Sequence, residues 1–116
     1  MSNAAISIFA FSIYEIIVGI GFLFIPNVLL PLFKLPQTHE PWIRVVGAMA
    51  LLIGFYHVNI AQMELSSFYW ITINGRLGFA AVVALFVIMK KIPPVLLLFG
   101  VVDLIAAAWT YLAMTY

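Results

Sequence analysis

The chain has 116 residues, 66% of them hydrophobic and only 8% charged, with a formal net charge of +1 and no cysteine. A water-soluble domain is about a quarter charged, so the 5 basic and 4 acidic side chains cannot clothe a core of this size in water, and the composition describes an integral membrane protein. The charge distribution offers no basic patch for nucleic acid, and the lack of cysteine excludes disulfides, thiolate catalysis, Fe–S clusters and CxxC redox centres.

Crossing about 30 Å of hydrocarbon takes about 20 mostly apolar residues. The opening "MSNAAISIFAF" lacks the basic leader of a signal peptide, so the first apolar run, 5–25, is expected to remain as a span. It carries Glu15 near its middle, on one helical stripe with Ser12 and Gly19. The connector "PNVLLPLFKLPQTHEP" holds Pro26, Pro31, Pro36 and Pro41 and cannot continue a helix unbroken. Its apolar middle, "VLLPLF", is expected to lie in the interface or dip back as a re-entrant segment.

The second span, 42–62, places Gly47 and Gly54 on one stripe flanked by Arg44 and His57. After "MELSS", the third span, 68–89, aligns Thr72, Arg76 and Ala80. After "KKIPP", in which Pro93–Pro94 signals a helix start, the fourth span, 95–116, aligns Gly100, Asp103, Ala107 and Thr110. Short connectors imply antiparallel neighbours. The expected fold is therefore an all-α, integral membrane four-helix bundle, a single transmembrane domain over 1–116. Gly19, Gly47, Gly54 and Gly100 are the expected helix-packing positions, since small residues let membrane helices approach closely. "VVGAMALLIGFY" and "VVDLIAAAWTYL" share a beginning that hairpin repeats would explain, but the match is too short to separate from membrane composition.

Orientation follows from the basic residues near span ends. Lys34 and Arg44 flank the first connector and Lys90 and Lys91 open the third, whereas "MELSS" carries none. Both termini are accordingly expected outside the cytoplasm, in a cell (inner) membrane.

At about 1.5 Å per residue, Arg76 lies about 12 Å below the outer surface, Asp103 about 12 Å above the inner one, and Glu15 close to the midplane. An arginine near a helix centre costs roughly 2.5–3.5 kcal/mol on the insertion scale, while each Leu, Ile, Phe or Val returns about 0.3–0.6. Eleven such residues in the third span, from Phe68 to Ile88, outweigh it. The guanidinium keeps its protons and needs acceptors, and Glu15 and Asp103 are the carboxylates at its depth. Arg76 is expected to face one or both. Two acids against one obligate cation leave a negative charge over. Either one acid keeps a proton, or His57 is cationic, or a ligand or partner completes the set.

Such a set is either an assembly device that fixes helix register or a polar pocket within the membrane. His57 lacks a second histidine at ligand spacing, His39 being in the connector, so it reads as hydrogen-bonded or interfacial, and no metal is expected. Trp42, Tyr69, Trp70, Trp109, Tyr111 and Tyr116 read as an interfacial aromatic belt, with a quinone platform as the alternative. No Walker loop, zinc motif, nucleophile elbow or dinucleotide fingerprint occurs.

A first span with Glu15 and Gly19, a proline-rich connector, "WIRVVGAMALLIGFYH", "NGR" in the third span and "FGVVDLIAAAWT" in the fourth together resemble the small four-helix DoxX-like membrane proteins over nearly the whole chain. The resemblance implies a four-helix fold with Glu15, Arg44, Arg76 and Asp103 as shared polar positions. It also implies an association with quinone-linked or other redox membrane complexes. It transfers no activity: the name-giving members are associated with thiosulfate:quinone oxidoreduction, and a chain without cysteine has no group for sulfur transfer.

The functional expectation is a lipophilic-ligand binding module, for a quinone or isoprenoid, or a subunit of a membrane complex or homo-oligomer. Its site would comprise Glu15, Arg76, Asp103, Arg44 and His57, with Arg76 donating to an oxygen of the bound molecule. Two alternatives stand beside it. One is a small proton-coupled transporter or membrane enzyme using Glu15 or Asp103 as proton carrier; the other is a purely structural subunit.

Overall fold

The structure, a computed structural model, describes residues 1–115; Tyr116, the expected end of the fourth span and a member of the aromatic belt, lies outside the described residues. The described chain is all-helical, with α1 (Asn3–Phe24), α2 (Pro26–Leu32), α3 (Trp42–Gln62), α4 (Tyr69–Ile88) and α5 (Leu97–Thr115). Short 3-10 turns, Ser66–Phe68 and Pro94–Leu96, lead into α4 and α5. The helices α1, α3, α4 and α5 are each long and apolar enough to cross a membrane. Their ends fall within about two residues of the expected boundaries, because prolines and polar clusters punctuate the runs on both sides.

The fifth helix, α2, occupies the first half of the proline-rich connector. Pro26 sits at its first turn, where a missing N–H costs nothing. Pro31 lies inside it and cannot donate to the carbonyl of Asn27. The side chain of Gln37 donates to that carbonyl instead, at 3.3 Å, and the Thr38 N–H donates to Asn27 Oδ1 at 2.9 Å. The second half of the connector is thus folded back onto the helix by the acceptors that Pro31 and Asn27 leave open.

Three helix ends close in the same way without glycine. Leu35 N–H bonds to Leu30 O (2.9 Å), Leu65 N–H to Ile60 O (3.0 Å) and Lys91 N–H to Phe86 O (2.8 Å), the six-to-one bond of a Schellman end. The residue before each donor takes the left-handed conformation: Lys34 at φ 58°, Glu64 at 48° and Lys90 at 59°.

The chain divides into two compact units, one of residues 9–59 and the other of residues 1–8 with 60 onward. In the first, α1 and α3 run antiparallel at backbone contact. A Cβ built on Gly19 would lie 2.5 Å from Leu51 N and 2.8 Å from Gly47 O, and one on Gly54 would lie 2.8 Å from Ile16 Cγ1 and 3.2 Å from Glu15 Cβ. In the second unit, α4 packs on α5. Tyr69, Thr72, Ile73, Arg76, Ala80 and Val83 form the buried stripe of α4, and Gly100, Asp103, Ala106, Ala107 and Thr110 that of α5. These spacings of three and four residues mark a single face of each helix. Gly100 sits over Ala80, its absent Cβ position 3.6 Å from the Ala80 Cα.

Candidate functional site

Two polar assemblies are set into these apolar helices, one in each unit. In the unit of residues 9–59, Glu15 of α1 and His57 of α3 are hydrogen-bonded through Oε1 and Nδ1. Gly54 makes this possible. It stands one turn before His57 and brings α3 against the Cβ of Glu15 and the side chain of Ile16, so that two short-reaching side chains meet between helices. Phe11, one turn before Glu15, packs beside the imidazole in a tilted arrangement, with ring centroids 6.0 Å apart. The two side chains are each 13% exposed: covered, but not sealed. With Nδ1 engaged by the carboxylate, Nε2 is the ring nitrogen left to meet another molecule.

Arg44 serves the end of α1. Its Nη1 donates to the carbonyls of Leu23 (2.7 Å) and Phe24 (3.3 Å). These are carbonyls of the last helical turn, which lack donors in the helix and carry its partial negative charge. The side chain is exposed, and its role in this unit is that of a C-terminal cap joining the start of α3 to the end of α1.

The second assembly surrounds Arg76, which is 3% exposed. Its Nε donates to Thr72 O (3.0 Å), and its Nη2 donates to the hydroxyls of Thr72 (3.0 Å) and Thr110 (3.1 Å). Thr72 Oγ1 donates onward to Tyr69 O at 2.7 Å. Thr110 Oγ1 lies 2.6 Å from Ser7 Oγ and 3.1 Å from Ala106 O, and Ser7 Oγ lies 2.6 Å from Ala4 O. Thr110 accepts from Arg76, and the two hydroxyl protons of Ser7 and Thr110 are shared among three contacts, to Ala4 O, to Ala106 O and between the two hydroxyls themselves. Ser7 and Thr110 are fully buried and Thr72 is 5% exposed. The network therefore ties the first turns of α1 to α4 and α5. Asp103 is buried on the same stripe of α5, two turns before Thr110.

The hydroxyl partners of Arg76 and the cap made by Arg44 went unread in the sequence. The spacing of Thr72 and Arg76, four apart on one helix, was the available signal for the first; nothing local announced Ser7, 103 positions from Thr110. Among the described residues no group of three His, Cys, Asp or Glu side chains is gathered as a metal site would require. Compared with protein-family models, curated proteins and solved structures, the chain finds no match.

Proposed function

We propose that this chain is an integral membrane protein in which α1, α3, α4 and α5 span the bilayer as a bundle with both termini outside the cytoplasm. It would be a DoxX-like protein that acts as a binding module for a lipophilic molecule, alone or as a subunit of a membrane complex. The observation that carries the reading is the Glu15–His57 pair: two ionisable groups set within apolar helices, partly reachable from outside. Ionisable residues at such depth are costly and mark sites by default.

The chemistry of the pair suits an oxygen-bearing head group, such as that of a quinone or quinol. A neutral His57 that gives its Nδ1 proton to Glu15 offers the Nε2 lone pair to a hydroxyl. A cationic one offers an Nε2–H to a carbonyl oxygen. Glu15 holds the ring in place in both states and compensates the positive charge in the second. Arg76 is assigned to assembly, because its Nε and Nη2 donors are engaged by Thr72 and Thr110 within a buried hydroxyl network.

Native mass spectrometry of protein extracted gently from its own membrane tests this. A defined lipophilic molecule should accompany the wild-type chain and be lost from His57→Phe with helicity unchanged. An empty wild-type chain would overturn the binding reading. The same pair supports a second reading, proton-coupled transport with Glu15 as carrier, which requires gradient-dependent flux in liposomes that Glu15→Gln abolishes.

A further inference from the structure

The connector between α4 and α5 carries a feature that neither polar assembly uses. Lys90 and Lys91 follow the end of α4 directly. Their backbone is fixed by the closing bonds Lys90 N–H to Val87 O (3.0 Å) and Lys91 N–H to Phe86 O (2.8 Å), with Lys90 at φ 59°. A non-glycine residue is uncommon in that conformation and is held there only by its surroundings. The two ammonium groups are adjacent and exposed, and among the described residues neither forms an ion pair. The sequence from Ala80 to Val102 contains no acid to neutralise them. Both lysines line an open cleft of about 410 Å³ whose remaining walls are Val87, Ile92, Pro93 and Pro94. It is a shallow, largely open depression of the surface that brings the two lysines beside apolar side chains.

We infer that this cleft binds the phosphate-bearing head group of an anionic phospholipid. The inference rests on the membrane reading above, under which a connector between two spans lies at the lipid surface. The lysines supply charge complementary to the phosphate, and the loss of mutual repulsion between them adds to the attraction. The apolar wall faces the glycerol and first methylenes, which a free phosphate ion does not possess. Juxtamembrane lysines draw anionic lipid with an energy of about 1 kcal/mol each, so losing both should weaken retention by roughly thirtyfold.

The test measures lipid retained by the full chain after reconstitution into nanodiscs of mixed phosphatidylglycerol and phosphatidylcholine, followed by release into detergent and native mass spectrometry. Wild type should keep phosphatidylglycerol in preference to phosphatidylcholine. Lys90→Gln/Lys91→Gln should lose that preference by roughly thirtyfold, while Lys90→Arg/Lys91→Arg and Lys34→Gln keep it. The proposal is overturned if the double glutamine variant retains the anionic lipid like wild type, if Lys34→Gln loses as much, or if millimolar inorganic phosphate displaces it. An alkaline carbonate wash separates the two levels. If it strips the wild-type chain from its membrane, the membrane reading and this proposal fall together; if the chain stays but shows no preference, the head-group site alone falls.

Discussion

Gly19 on α1 and Gly47 on α3 each stand where the other's side chain would begin. A Cβ on Gly19 would meet the Gly47 carbonyl oxygen at 2.8 Å, and one on Gly47 would meet that of Gly19 at 2.7 Å. The obstacles are backbone atoms of packed helices and cannot swing aside. Gly19→Ala and Gly47→Ala should each destabilise the α1–α3 pair by about 1–3 kcal/mol, the usual cost of overpacking, measured by reversible unfolding in mixed micelles. Gly75→Ala is the control, because a Cβ there meets nothing within 4 Å; it should leave stability unchanged or slightly raised.

The same close approach holds Glu15 against His57. Removing one partner strands the other between apolar helices, whereas replacing both need not. Glu15→Gln and His57→Phe should each destabilise, and the double variant should be less affected than their sum. We expect a coupling energy of about 0.5–3 kcal/mol in a double-mutant cycle. Additive effects would show that the pair contributes nothing to the fold.

For the Arg76 network, Thr110→Val removes a buried acceptor of a charged donor and should cost about 1.5–3 kcal/mol. Thr110→Ser keeps the hydroxyl and should restore most of it. Ser7→Ala, losing a neutral bond in the same network, should cost less, about 1 kcal/mol. Denaturant titration followed by helicity orders the three. Equal losses for valine and serine at position 110 would assign the effect to packing rather than to the hydroxyl.

The glycine-free Schellman ends carry a prediction of their own. A left-handed residue other than glycine costs roughly 1–2 kcal/mol, partly offset by the extra freedom glycine has in the unfolded chain. Lys34→Gly should therefore stabilise the chain by about 0.5–1 kcal/mol, and Lys34→Ala should not, as read by shifts in thermal midpoint.

The exposed loop residue Glu64 accepts the Ser2 backbone N–H at 2.6 Å, and this bond holds its carboxyl below the ordinary value of 4.5. A carboxylate favoured by folding stabilises above its unfolded value and stops doing so as pH falls through the folded one. The tie between the N-terminus and the α3–α4 connector should hold at neutral pH and loosen only below about pH 4.5. The amide resonance of Ser2 should titrate in that window, and Glu64→Gln should abolish the titration.

What the sequence determined by itself is the run of helices and their inward stripes. Four apolar runs bounded by prolines and polar clusters define α1, α3, α4 and α5, and the three- and four-residue spacing of Thr72, Arg76 and Ala80 or of Gly100, Asp103 and Ala107 marks the faces that are buried. Both are local properties, readable from composition and period. Which polar group meets which was decided by tertiary structure. Glu15 finds His57 because glycines at 19, 47 and 54 set the separation and register of two antiparallel helices. Arg76 finds Thr110, and through it Ser7, because α4, α5 and the first turns of α1 pack together. Charge and depth along a chain say that a buried cation needs acceptors. They do not say which groups of the neighbouring helices will come within 3 Å, a matter of helix rotation that only packing fixes.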